Sequence, residues 1–134
     1  MSLAIYQVDA FTDKPFTGNP AAVCVLSAPR EEGWMQQVAM EMNVSETAFV
    51  TCLSDSPGFD FVSRFFAPAS GVNEDPATGS SHCCLGPFWA KHLNKTEFVA
   101  HQASARGGVI KVRVEGDRVK LIGQAVTVLR GELV

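Results

Sequence analysis

Apolar residues change their spacing several times along the chain, and each change marks a predicted element. Alternating or short, purely apolar runs rich in β-forming residues predict four strands in the first half. These runs cover residues 3–11, 21–26, 44–53 and 59–68. Apolar side chains at helical spacing predict a helix over residues 28–43, and Asn43 is its expected stop. The segment SDSPG, residues 54–58, is predicted to be a loop.

The second half predicts one helix followed by strands. Residues 81–93 (SHCCLGPFWAKHL) place apolar side chains on one helical face, although Gly86 and Pro87 should kink or interrupt that helix. Residues 97–133 have strand patterns joined by ARGG and by EGDR, and the latter favours a tight hairpin. The order β-β-α-β-β-α-β-β-β predicts an α+β domain whose curved, largely antiparallel sheet packs on helices.

Composition and charge restrict the class of protein. A chain of 134 residues with 46% hydrophobic and 19% charged residues suits one globular domain. The net charge of −3 and the absence of a basic run argue against nucleic acid or an anionic membrane as partner. No apolar stretch approaches the length of a membrane span, and no signal-like segment precedes Asp9. We therefore expect a cytoplasmic protein.

The cysteines show no CxxC spacing, which favours reduced, buried thiols. They are Cys24, Cys52, Cys83 and Cys84. A metal site built from Cys83, Cys84, His82 and His101 lacks regular ligand spacing, so no metal is predicted. No role is assigned to any of the three histidines.

The segment GVNEDPATGS, residues 71–80, is the first candidate for chemistry. Asp75 and Pro76 fit an N-cap followed by proline at the first helical position. This cap does not explain Gly79, which costs about 1 kcal/mol relative to Ala inside a helix. A glycine beside free amides and the hydroxyls of Thr78 and Ser80 lets an anion approach a helix N-terminus. The pattern favours a small-anion site over a plain cap.

Three further positions allow two interpretations each. Glu46, in SETAF, is either an exposed loop carboxylate or a partly desolvated general base. Asn19, in GNPAA, could be only a turn residue, and Arg106, in ARGG, only a solvated charge. Nothing in the sequence pattern places Glu46 near Asp75.

Taken together, these motifs resemble the phenazine-biosynthesis PhzF-like family. The matching stretches cover nearly the whole chain: DAFTDKPFTGNPAAVCVL, MQQVAMEMNVSETAFV, SRFFAPASGVNEDPATGSSH, LGPFWAKHL and QASARGGVIKV…GDRVKLIGQAVTVLRGEL. That family shares the diaminopimelate epimerase fold, in which two similar domains form a cleft and each wraps a sheet around a central helix. The resemblance implies one such domain over residues 1–134.

The resemblance also implies roles for particular residues. Glu46 matches a carboxylate that moves a proton between substrate carbons, and Asp75 and Ser80 match residues lining the substrate cleft. The implied substrate-binding positions are Asn19, Thr78, Gly79, Arg106, Gly107 and Gly108. The epimerase relatives have a catalytic cysteine where Asp75 stands, so a carboxylate mechanism is favoured over a two-thiol one. A small carboxylate-bearing substrate is implied, and no metal or organic cofactor.

The chain departs from the family in length. Family members are about twice as long; residues 1–54 resemble the start of their N-terminal domain and residues 55–134 the end of their C-terminal domain. The CGHAT-like segment that supplies a cleft histidine has no counterpart. Because the two family domains are pseudo-repeats, a homodimer could rebuild the two-domain body, with Glu46 facing Asp75 and Ser80 across a cleft.

Three functional hypotheses therefore stand. The first is an isomerase with Glu46 as acid and base. The second is a catalytically inactive small-anion-binding or interaction module derived from the family by internal deletion. The third is a single-domain monomer with an exposed apolar face.

Overall fold

The computed structural model describes residues 2–10, 12–51 and 58–134, with only the backbone for Ala10 and Thr51. The strands are β1 Ala4–Ala10, β2 Asn19–Val25, β3 Glu46–Thr51, β4 Phe61–Phe66, β5 Glu97–Gln102, β6 Gly108–Glu115 and β7 Arg118–Ile122. The helices are α1 Glu32–Met42 and α2 Gly79–Leu93, with a short 3₁₀ turn at Pro68–Ser70. The predicted order of strands and α-helices is confirmed. The predicted loop at 54–58 lies, except for Gly58, outside the described residues.

The seven strands form one mixed sheet in chain order. Four neighbouring pairs are antiparallel, while β2 pairs with β3 and β4 with β5 in parallel. Parallel neighbours need a crossover, and α1 and α2 lie within the two crossover connections. The predicted α+β class and its mostly antiparallel sheet are confirmed.

The sheet curls around α2. This helix contacts β1 near one edge of the sheet and also β6 and β7 at the other edge. Strand alternation sends one set of side chains toward α2 and the other toward α1. The inner set includes Val23, Val50, Phe61, Phe98, Ala100 and Val112, packed with Leu85 and Trp89 of α2. Burying each large apolar side chain of this core contributes roughly 1.5–3 kcal/mol.

Helix α1 packs on the outer face of the sheet against β3 and β4. Met35 and Ala39 are its buried residues, and they pack in a cluster that includes Cys24, Phe49 and Phe66. The helix ends at Asn43, whose left-handed φ of 48° confirms the predicted stop. No helix in the described ranges is long and apolar enough to cross a membrane.

Helix α2 continues through Pro87 to Leu93, so the predicted interruption is not observed. The buried side chains of Leu85 and Trp89, on either side of Pro87, hold both parts of the helix against the sheet. Packing explains the glycine at position 86, because a Cβ there would lie only 2.9 Å from Cγ1 of Val112. The glycine lets α2 approach β6 closely.

The EGDR segment forms the predicted tight hairpin. Glu115 pairs with Arg118, and Gly116 between them adopts a φ of 58°, in the region that favours glycine. Strand β7 ends at Ile122, and residues 123–134 have no regular secondary structure. The strand pattern predicted as far as Leu133 is therefore not realised beyond Ile122 within one chain.

Candidate active site

Glu46 and Ser80 meet at the start of α2. Glu46 begins β3, and alternation places it on the inner face with Ala48 and Val50. The Ser80 hydroxyl donates to Oε1 of Glu46 at 2.7 Å, joining residues 34 positions apart within one chain. Oε2 of Glu46 is shielded from solvent and has no hydrogen-bond partner among the described residues. A buried oxygen with unused hydrogen-bonding capacity is uncommon and often marks a functional position.

A cleft of about 410 Å³ brings most of the sequence-predicted residues together. Its lining comprises Asn19, Ser45, Glu46, Phe65, Ala67, Ser70, Val72, Asp75, Thr78 and Ser80. Asn19 begins β2 beside the start of β3, because Ala21 pairs with Glu46 in the parallel register. The described lining contains carboxylates, hydroxyls and an amide, and no Lys, Arg or His.

Helix α2 begins at Gly79, two residues before the predicted start at Ser81 and later than an N-cap at Asp75 would place it. Thr78 is the N-cap residue and Gly79 the first helical residue, so the prediction of Asp75 as N-cap is wrong. The physical reason is that the Asp75 carboxylate accepts the Thr78 hydroxyl, while the backbone at Thr78 stays extended. With its hydroxyl used in this way, Thr78 makes no side-chain cap, and the first turn contains no acidic residue. The first amides of α2 therefore retain the capacity to bind an anion.

Gln102 holds the loop that precedes α2, and sequence reasoning missed it. Its side chain is fully buried; Oε1 accepts the Thr78 N–H at 2.7 Å, and Nε2 donates to the Asp75 carbonyl at 2.7 Å. Nε2 also lies 3.0 Å from the Thr78 hydroxyl oxygen. The sequence signal that could have identified Gln102 is its position two residues after Ala100 and four after Phe98, on the inward-facing side of β5. A polar residue in such a series needs a buried partner.

Glu74 anchors the same loop from the other side. It forms a two-point ion pair with Arg64 of β4, with both N···O distances at 2.8 Å, and Glu32 of α1 adds a third contact to Arg64 at 2.9 Å. Donating hydrogen bonds to the Glu74 carboxylate raises the pKa of Arg64 above its ordinary value. Glu74 is thus engaged in holding the loop, whereas its neighbour Asp75 lines the cleft.

The predicted Arg106–Gly108 segment lies outside the lining of the cleft, and Arg106 is exposed. A Cβ on Gly108 would lie 2.8 Å from the Cβ of Ala77, so glycine allows β6 to approach the loop before α2. Ser104 accepts the Gly107 N–H at 3.0 Å and donates to the Pro76 carbonyl at 2.8 Å. These residues support the loop from behind.

The thiols near Glu46 stay protonated at neutral pH. Burial, followed by the Cys83 and Glu46 charges, raises the pKa of Cys84 to about 11. Burial and the Glu46 carboxylate also raise the pKa of Cys83. Cys24, Cys83 and Cys84, the cysteines within the described residues, are free thiols. Thiolate chemistry is therefore disfavoured beside Glu46.

His82 is buried in the first turns of α2. Its Nδ1 lies 2.6 Å from the Thr78 carbonyl oxygen, which makes Nδ1 the protonated nitrogen, and burial lowers its pKa. The ring stacks on Phe61 with centroids 6.0 Å apart, so His82 is part of the core. Within the described ranges, no three His, Cys, Asp or Glu side chains are grouped to hold a metal ion.

A second concavity, of about 470 Å³, is lined by β5 and β6. Lys95, Lys111 and Arg113 are among its lining residues. Lys95 pairs with Asp60 at 2.5 Å and Arg113 with Glu97 at 2.7 Å, so these two cations are already neutralised. The concavity brings together none of the sequence-predicted site residues.

The fold is of the epimerase-like α+β class. The structure is similar to a phenazine biosynthesis protein of the PhzF family from Bacillus anthracis, with a TM-score of 0.68, 25% identity, and coverage of 90% of this chain and 40% of that one. It is also similar in fold to a predicted epimerase from Pseudomonas aeruginosa, with a TM-score of 0.60, 24% identity, and coverage of 88% and 41%.

Sequence comparison identifies the family. The model of the PhzC-PhzF family, described as phenazine biosynthesis-like protein, matches residues 8–59 and 51–131. An uncharacterized isomerase of Halalkalibacterium halodurans is 33% identical over 262 positions, covering 99% of each chain. An uncharacterized isomerase of Pseudomonas aeruginosa is 60% identical over 74 residues, 55% of this chain and 28% of that one. The chain belongs to the phenazine biosynthesis-like family.

The chain spans about half the length of the curated relatives it matches. It has 134 residues, whereas its alignment with the Halalkalibacterium isomerase runs over 262 positions. The relatives named isomerases support an isomerase-type function for this chain.

Proposed function

We propose that this protein is an isomerase that moves a proton on a small carboxylate-bearing metabolite, with Glu46 as acid and base. Glu46 removes a proton from one substrate carbon, leaving the electron pair delocalised in the substrate, and returns the proton to another carbon. No atom is gained or lost, so the reaction needs no co-reactant. The names of the relatives support the reaction class, and the cleft residues support the assignment to Glu46.

The Glu46 carboxylate carries this proposal. Ser80 fixes one oxygen by its hydrogen bond at 2.7 Å, and Glu46 lines the cleft in which a substrate would lie. A general base needs a fixed orientation and access to the proton that it removes. Protonated thiols nearby leave Glu46 as the group better suited to proton transfer.

The start of α2 is the proposed binding site for the substrate carboxylate. The helix contains 15 residues, so its dipole places positive partial charge on the amides of Gly79 and Ser80. The Thr78 hydroxyl donates to Asp75 and leaves these amides without a side-chain cap. Donors fixed in this way stabilise charge that develops on the substrate during proton removal.

Deuterium uptake tests the proposal. Small carboxylic acids with an acidic C–H bond are incubated with the protein in heavy water, and proton NMR follows the loss of that C–H signal. At least one acid should exchange, and Glu46→Gln should lower its rate at least 100-fold while retaining an oxygen that accepts from Ser80. Glu41→Gln, an exposed change on α1, should leave the rate unchanged. Exchange at the wild-type rate in Glu46→Gln contradicts the proposal.

A second candidate function is a catalytically inactive small-anion-binding module. The observation that favours it is the lining of the cleft, whose described residues include no histidine and no cation. In that case carboxylates bind at the start of α2 in both wild type and Glu46→Gln, and no acid in the panel exchanges its C–H proton.

A second copy of the chain is the proposed source of the opposite wall of the cleft. Val72 lines the cleft and is exposed, and Phe16, three residues before Asn19, is 96% exposed. Phe16 also has a φ of 67°, which is strained for a bulky residue. Exposed apolar side chains beside a site are typical of an interaction surface.

Light scattering over a dilution series tests this dimer. A species near twice 14.4 kDa is expected, and Val72→Asp should weaken the dimer at least tenfold relative to Val109→Asp, a change at a similarly exposed valine on β6. A monomer at every concentration contradicts it.

Free thiols at all described cysteines support a reducing, cytoplasmic location, and the family name supports a biosynthetic role.

A further inference from the structure

Residues 124–129, QAVTVL, have the composition of a strand but no strand partner. They are rich in β-branched residues, and they follow β7 without forming regular structure. Val126, Val128 and Leu129 are 84%, 92% and 84% exposed. So many exposed apolar side chains in a short segment indicate a surface that is covered in the functional state.

This tail segment, residues 124–129, does not pair with the strand it follows. Strand β7 pairs with β6 and ends at Ile122, and residues 123–134 have no regular secondary structure. The exposure of its side chains shows that it does not pack on the body of its own chain either. No strand among the described residues of the same chain pairs with the segment, so a second molecule is the available source of a neighbouring strand.

Within the part of the chain that the structure describes, the sheet has two edge strands without an outer partner, and they differ in charge. Strand β7 carries Arg118 and Lys120, the kind of residues that guard an edge against further pairing. Strand β1 has one charged residue, Asp9, and its Ile5 and Tyr6 are nearly half exposed. Strand β1 extends over 7 residues, long enough to pair with the whole tail segment. The edge of β1 is thus the better acceptor.

We propose that the tail segment of one copy adds as a strand to the free edge of β1 in a second copy, and that two copies exchange tails reciprocally. Every copy carries one donor segment and one unguarded acceptor edge, so a two-fold arrangement satisfies both at once. A different partner protein would leave one of them exposed. The exchange buries the tail valines and gives the outer amides and carbonyls of β1 their partners.

The inference is independent of the chemistry at Glu46. It requires main-chain pairing between copies, whereas the proposed function requires a cleft that binds and deprotonates a carboxylate. The proposed contact at Val72 and the tail exchange are two different parts of a dimer. Val72→Asp tests the first, and Thr127→Pro tests the second.

Hydrogen exchange read by mass spectrometry, together with light scattering, tests the inference on the full chain. Thr127→Pro removes an amide from the middle of the tail segment, and Leu133→Pro is the matched control outside it. Peptides covering residues 124–129 and β1 should exchange at least tenfold more slowly in wild type and Leu133→Pro than in Thr127→Pro. Thr127→Pro should also weaken the dimer at least tenfold, with an unchanged circular dichroism spectrum of the core.

Three outcomes overturn the inference. One is a chain that stays monomeric throughout the dilution series. Another is a dimer whose tail amides exchange as fast as in an unstructured peptide. The last is a dimer broken by Val72→Asp and unaffected by Thr127→Pro, which rejects tail exchange while leaving the proposed cleft dimer in place. Deuterium uptake by substrate, lost in Glu46→Gln, is scored separately and reports only on the proposed function.

Discussion

Replacing Gln102 by leucine should destabilise the protein strongly although the two side chains have similar volumes. The substitution leaves the buried Thr78 N–H and the Asp75 carbonyl without their partners at 2.7 Å. The unsatisfied, buried Thr78 N–H costs about 1–3 kcal/mol and the part-buried Asp75 carbonyl about 1 kcal/mol, so the expected loss is roughly 2–4 kcal/mol. Total stability of a domain is only about 5–15 kcal/mol, which makes this a large fraction.

Urea unfolding followed by tryptophan fluorescence measures the effect. With a slope of about 1.5 kcal/mol per molar, the midpoint should fall by roughly 2 M. Gln37→Leu, an exposed change of the same type on α1, should stay within about 0.5 kcal/mol of wild type. If Gln102→Leu also stays within that margin, Gln102 does not hold the loop before α2 and the account of the site geometry is wrong.

Three further predictions concern an ion pair, a core residue and a thiol. Glu74→Gln should lower the free energy of unfolding by about 1–2 kcal/mol because it breaks the two-point contact with Arg64. The control Glu97→Gln, at an exposed ion pair with Arg113, should lower it by less than about 1 kcal/mol. Equal urea midpoints for the two variants would contradict this prediction. Phe61→Ala should cost about 3–5 kcal/mol because the ring is fully buried, and a loss below about 1 kcal/mol by thermal unfolding would refute that packing. The Cys84 pKa is raised from 9.0 to about 11, so iodoacetamide should label it about 100-fold more slowly in the native than in the unfolded protein at pH 8, as read by mass spectrometry. The Cys84 thiol ionises at a lower pH in the unfolded protein than in the native protein. The contribution of the protonated thiol to stability is therefore complete below about pH 9 and is lost as the pH rises toward 11. An unfolding free energy that does not change over that range would argue against burial of Cys84.

Local patterns predicted the elements because each depends on nearby residues. Alternation located the strands, and Asn43 marked the end of α1. The same local reasoning predicted a kink or an interruption at Pro87, and the interruption does not occur because packing of α2 inside the curved sheet overrides the preference of proline for helix ends. It also failed at Asp75, whose carboxylate binds Thr78 instead of capping the helix.

Long-range contacts of the site were beyond sequence pattern. Glu46 and Ser80 are brought together by the curvature of the sheet and by the position of α2 within it, which no local spacing encodes. Gln102 was overlooked because a single polar residue in a strand has no meaning until its neighbours in space are known. The resemblance to a family supplied Glu46, Asp75, Ser80 and Asn19, and the geometry explains why these residues share a cleft.

An amide NMR titration with small carboxylates tests most directly whether the cleft at the start of α2 is a carboxylate site. The account predicts saturable shifts of the Gly79 and Ser80 amides and of the Asn19 side chain, in wild type and in Glu46→Gln. Saturable shifts confined to the concavity lined by Lys95, Lys111 and Arg113 would place anion binding outside the cleft and contradict the account.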